Sequence, residues 1–243
     1  MKFFLVHLRR SLALLALAWL AAGCHSPSHD ASTMYPPAPT KESQAATTPQ
    51  DALAELRAGN ARFLAGKTQV RNLPARVRAT ASGQYPFAVV LSCLDSRIPI
   101  ELIFDQGIGD IFSSREAGNV LNDDTLGSLE FACKVSGSKL IAVIGHSNCG
   151  AIKGAIDNVQ LGSLTGLLDR IKPAIANVPD SGSPRDSKNA QFVQQVAEAN
   201  VHLVMQQIRE RSPVLREMLD QGKIALVGGM YDLDTGEVHF FSN

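Results

Sequence analysis

Residues 87–97, Phe87-Ala88-Val89-Val90-Leu91-Ser92-Cys93-Leu94-Asp95-Ser96-Arg97, and residues 140–150, Leu140-Ile141-Ala142-Val143-Ile144-Gly145-His146-Ser147-Asn148-Cys149-Gly150, are built alike. Each begins with a continuous apolar run and ends in polar residues able to do chemistry. Such a run reads as a strand covered on both faces, because a strand wetted on one side would alternate. Covered strands need helices above and below them. In sheets of that kind ligands gather beyond the carboxyl ends of the strands. Both polar stretches fall at that edge.

Outward from these stretches, strands alternate with helices. Further strands are expected over 111–115 and 224–230, with an antiparallel hairpin partner over 238–241 after the turn Asp232-Leu233-Asp234-Thr235-Gly236. A helix is expected over 51–66, with Asp51 capping its start and Gly66 its stop. Residues 67–83 read as a loop with room for a short helix. Helical patterns follow over 122–135, 148–159, 164–176, 189–210 and 213–221. The fold class is therefore α/β, a mainly parallel β-sheet flanked by α-helices.

The formal net charge is zero and no long basic run occurs, so electrostatics offers nothing to a nucleic-acid partner. An apolar share of 45% suffices for one well-buried core. Four cysteines are too few for a disulfide scaffold, and the odd count in the folded part forbids full internal pairing.

The leading residues look like a targeting segment. Lys2, Arg9 and Arg10 precede an apolar run from Ser11 to Ala22 that is short for a membrane span. Its end, Leu20-Ala21-Ala22-Gly23-Cys24, resembles the bacterial lipobox, which implies cleavage and a lipidated Cys24. The expected order is a signal peptide over 1–23, a disordered tether over 24–49 and a folded domain over 50–243. Five prolines and few large apolar residues over 25–49 make that stretch poor at offsetting its own ordering entropy. The protein is expected to be exported and anchored to a membrane through Cys24.

In extended backbone, alternate side chains share a side, so Cys93, Asp95 and Arg97 can face one cleft. His146 and Cys149, three apart, share a side on a turn or first helical turn. Two thiolates and an imidazole form a zinc-ligand set. The thiolates neutralise the ion, and the fourth position lies between Asp95 and water. A bidentate pair with Arg97 would hold Asp95 off the metal and open that position.

Cys-x-Asp-Ser-Arg followed some fifty residues later by His-x-x-Cys-Gly resembles the β-class carbonic anhydrases. Asn60-Ala61-Arg62-Phe63, Phe104-Asp105-Gln106-Gly107 and Arg115-Glu116-Ala117-Gly118-Asn119 resemble further segments of that family. The resemblance implies one Zn2+ per chain held by Cys93, His146 and Cys149. It implies that Asp95 pairs with Arg97 in an active form and binds the metal in a resting one. The implied activity is reversible hydration of carbon dioxide to bicarbonate and a proton, in a homodimer or higher homo-oligomer. Hydrolysis of carbon disulfide or carbonyl sulfide, and a non-catalytic zinc protein, are the alternatives. Plainer readings hold elsewhere: Cys133 as core, His202 as packing, His239 as a strand residue without chemistry, His25 and His29 as linker.

Overall fold

The computed structural model describes residues 35–242; the signal-peptide expectation and Cys24 lie outside these residues. Among the described residues no helix is long and apolar enough to cross a membrane.

One five-stranded sheet organises the domain, with strands β1 (Ala88–Ser92), β2 (Ile111–Arg115), β3 (Leu140–His146), β4 (Ala225–Tyr231) and β5 (Val238–Phe240) in the order β2-β1-β3-β4-β5. The first four run parallel, and β5 returns antiparallel to β4, so the expected α/β class and hairpin are both present. Every residue of β1 and β3 is buried, as their unbroken apolar runs require.

Among the described residues ten α-helices connect and cover these strands: α1 (Lys41–Ala46), α2 (Pro49–Leu64), α3 (Leu73–Thr80), α4 (Ile100–Ile103), α5 (Asp123–Glu130), α6 (Gly150–Ile156), α7 (Gly162–Asp169), α8 (Lys172–Asn177), α9 (Ala190–Arg211) and α10 (Pro213–Asp220). α9 lies close against β3 and β4 because glycines leave room there. A Cβ on Gly145 would come within 2.8 Å of Val201, and one on Gly228 within 2.5 Å of Met205.

Local chemistry explains where the boundaries differ from expectation. Thr48, not Asp51, caps α2; its hydroxyl accepts from the Asp51 amide while the Asp51 carboxylate accepts from the Thr48 amide, a reciprocal capping box. The single helix expected over 164–176 is two, α7 and α8. Pro173 has no N–H to carry the ladder through, and it sits in the first turn of the new helix. α5 opens into a π turn over Phe131–Val135 before Gly137, at φ 84°, ends it.

The disordered tether does not extend to residue 49. Thr40 caps α1, and the Gln44 side chain, buried, donates to the carbonyls of Pro86 and Ser136. Arg76 donates to the carbonyls of Pro36 and Pro37. These long-range polar contacts supply what the apolar count lacked. Cys133 is buried as expected, His202 stacks on Phe241 with ring centres 4.5 Å apart, and His239 lies exposed 3.3 Å from Glu237.

Candidate metal centre

The carboxyl ends of β1, β2 and β3 meet at one place. β1 delivers Cys93 directly after its last residue, and β3 ends on His146. The chain turns through Asn148, at φ 55°, so that Cys149 becomes the residue before α6. The ligand atoms of Cys93, His146 and Cys149 lie within 4.8 Å of one another, and all three residues are buried. The two sulfurs are 4.0 Å apart. A tetrahedral ion with bonds of about 2.3 Å to sulfur would hold two of them about 3.8 Å apart.

The histidine is oriented to give a lone pair. Its Nδ1 lies 2.9 Å from the Ser147 carbonyl, which can only accept, so that nitrogen carries the proton. Nε2 is then an acceptor, and it is buried without a hydrogen-bond partner. An orphaned buried nitrogen beside two sulfurs fits a bound cation. The Ser147 hydroxyl accepts from the Leu233 amide, which pins the loop after β3.

A hydrogen bond from Cys149 holds Cys93 down at about 4 against its burial, with help from the Asp95 and Gly118 backbone. Cys149 is pushed up, first by that same bond and then by burial. Lowering one thiol favours the thiolate form that binds a cation.

Asp95 faces Arg97 as the spacing predicted. Its Oδ1 accepts from Arg97 Nε at 2.9 Å and from the Arg97 amide at 2.9 Å, and its Oδ2 accepts from Nη2 at 2.7 Å. The Arg97 guanidinium holds the carboxyl well below the usual carboxylate range. Oδ2 also lies 3.9 Å from His146 Nε2, so the carboxylate stands at the mouth of the ligand set.

Three supporting residues were not identified as such from the sequence. Arg115, at the end of β2, donates from Nε to the Cys93 carbonyl at 3.1 Å and from Nη2 to the Asp95 carbonyl. The Gly118 amide donates to Cys93 Sγ at 3.2 Å. Gly118 has φ 68°, and a Cβ there would meet Ile171 at 2.8 Å, so both the turn and the close approach require glycine. Asn200 on α9 donates from Nδ2 to the Gly118 carbonyl at 2.8 Å and fixes the turn from behind. A buried asparagine within an apolar helical stripe was the available signal.

The family model described as carbonic anhydrase matches residues 88–238. Carbonic anhydrase 2 of Mycobacterium tuberculosis is 37% identical over 196 residues, covering 78% of this chain and 91% of that protein. The β-carbonic anhydrase CafA of Aspergillus fumigatus superposes with a TM-score of 0.61 at 26% identity, over 79% of this chain and 90% of that one. A β-carbonic anhydrase of Sordaria macrospora, described as tetrameric, gives a TM-score of 0.61 at 22% identity, over 80% and 96% of the two chains. With the family model matched over most of the sheet and a relative 37% identical over 78% of this chain, the chain belongs to the carbonic anhydrase family.

Proposed function

We propose that the protein is a zinc-dependent carbonic anhydrase that interconverts carbon dioxide and bicarbonate. The observation that carries this reading is the pairing of a three-atom ligand set with a carboxylate that an arginine holds at its mouth. Cys93, His146 and Cys149 would hold the ion. When bound, zinc lowers the pKa of a coordinated water to about 7 and so supplies a nucleophile at neutral pH.

The chain's own residues prepare the rest. Arg97 occupies both oxygens of Asp95 in a fork, which keeps the carboxylate ionised and away from the sulfurs. A carboxylate so held is a hydrogen-bond acceptor only, so it can orient a water by taking one of its protons in a hydrogen bond. Were Arg97 to let go, the same carboxylate would be free to close the site. Arg115 limits that movement to the side chain, because it ties down the carbonyls of Cys93 and Asp95.

The deciding experiment is zinc content measured beside stopped-flow hydration of carbon dioxide across pH 6 to 9. Stoichiometric zinc with hydration well above buffer, lost on chelation and restored by zinc, is expected. Full zinc with hydration no faster than buffer would leave a non-catalytic zinc protein.

We also read the chain as a homo-oligomer, exported and lipid-anchored at Cys24. The free edge of β2 and the exposed apolar side chains of Leu94 and Leu102 support the first. The lipobox-like stretch supports the second. Incorporation of labelled palmitate into the wild type but not into Cys24→Ser is expected; equal labelling of both would refute the anchor.

A further inference from the structure

Arg97 also lines a second concavity, a cleft of ≈ 480 Å³ whose walls include neither Asp95 nor any of the three candidate metal ligands. Three cations line it, Arg97, Lys153 and Lys188, with Asp234 the one carboxylate in the wall; Asp157 stands behind Ser187, and Asp95 pairs with Arg97 from outside the cleft. Among the described residues, neither lysine has a carboxylate oxygen within 4.0 Å of its ammonium. Arg97 gives Nε and Nη2 to Asp95, which leaves Nη1 for another acceptor. The first turn of α9, a helix of 22 residues with no acid in that turn, adds its positive end to the same wall. Two unpaired ammonium groups and the free Nη1 of a guanidinium, converging on a half-enclosed cleft, draw an anion.

The acceptors in the wall narrow the class. Asp234 repels a bare anion but accepts a hydrogen bond from one that keeps a proton. Ser187 behaves in the same way, because its hydroxyl proton goes to Asp157 Oδ2 at 2.6 Å, leaving its lone pairs to face the cleft. Donors on one side and acceptors on the other suit an oxyanion carrying both oxygens and an O–H.

We propose that this cleft is an anion site separate from the metal centre, selective for small protonated oxyanions of the hydrogenphosphate class, which it holds against Arg97 Nη1 without displacing Asp95. Since the Asp95 pair stays closed, the ligand leaves hydration running.

Calorimetric titration of the full, zinc-loaded chain with phosphate and with sulfate, at matched ionic strength near neutral pH, tests this directly. Sulfate has the charge but no proton to donate. Phosphate is expected to bind roughly fivefold or more tightly than sulfate. Lys153→Ala and Lys188→Ala should each weaken phosphate by roughly threefold to tenfold. Asp234→Asn should shrink the difference between the two anions. Hydration at saturating phosphate should stay within about twofold of its value without phosphate. Equal binding of both anions, untouched by the lysine variants, would show general ionic attraction and end the proposal. Phosphate binding that vanishes with the zinc, together with inhibited hydration, would place the anion on the metal and end it too. The titrations do not depend on the proposed activity, so a failed hydration assay would leave the binding result standing.

Discussion

Two aspartates, ten residues apart, are both held by arginine, and they are held differently. Asp95 takes its partner from two residues along the same strand end. Its side chain is 16% exposed, and that of Arg97 is 54% exposed. Asp105 takes Arg62 from α2 and Arg71 from the loop before α3, with the Gln69 amide on both oxygens, and its side chain is 2% exposed. The Asp95 pair is local and wet, and it can open without moving backbone. The Asp105 cluster ties three segments together and cannot open without separating them. Similar chemistry thus fits the proposed gate at one position and forms a fastening at the other.

Substitutions should pull these roles apart. Arg97→Ala should keep zinc and melting temperature while hydration falls by about a thousandfold, which corresponds to about 4 kcal/mol; near-normal turnover would remove the gate. Asp105→Ala should do the reverse. Breaking a buried ion cluster costs about 3 kcal/mol, or a fall in Tm of roughly 6–12 °C for a domain of this size, with turnover per bound zinc kept within a few fold. A calorimetric scan of both variants decides the matter, and a Tm loss in Arg97→Ala as large as that in Asp105→Ala would erase the distinction.

Asn200→Ala should fall between the two. It leaves the Gly118 carbonyl unpaired in the core, which costs about 1–2 kcal/mol, and it loosens the amide aimed at Cys93. Weaker zinc retention in a chelator competition should accompany a modest loss of Tm.

The smallest effect is on pH dependence. Burial raises Asp105, but hydrogen bonds from Arg71, Arg62 and the Gln69 amide outweigh it and leave the carboxyl below its usual value. A depressed carboxyl contributes stability that is present above its unfolded pKa of about 3.9 and is lost as pH falls through the folded value. Asp105→Asn should therefore flatten part of the acid limb of a stability–pH curve and leave the curve above pH 5 parallel to wild type. Asp95 is depressed as well and stays ionised from pH 6 to 9. A rise in hydration over that range would then report the nucleophile, and Asp95→Asn should not move its midpoint to acid values.

The parts legible in the sequence were those whose cause is local. The apolar runs of β1 and β3 announced buried parallel strands. The spacings Cys93-x-Asp95-x-Arg97 and His146-x-x-Cys149 announced side chains sharing a side, and the structure brings all five to one edge. Contacts between distant segments were not legible. Nothing near Arg115 or Asn200 in the chain says that they brace the backbone around Cys93. Composition alone misjudged residues 36–49, because one buried glutamine amide and one arginine reaching across 39 residues outweigh a shortage of large apolar side chains. Thr48 displaced Asp51 as the α2 cap because the helix starts at Pro49, which puts Asp51 at the third helical position, where it completes the capping box.

The docking of residues 36–46 has a mechanical meaning. Pro86 and Ser136, which receive Gln44, lie just ahead of β1 and β3, whereas Cys93 and His146 lie where those strands finish. Under the proposed anchor, a pull on Pro36 would meet the Arg76 and Gln44 contacts, and Gln44 bonds at the opposite ends of β1 and β3 from the sulfurs. The proposed active edge would then keep its geometry while the other end of the domain bore the load.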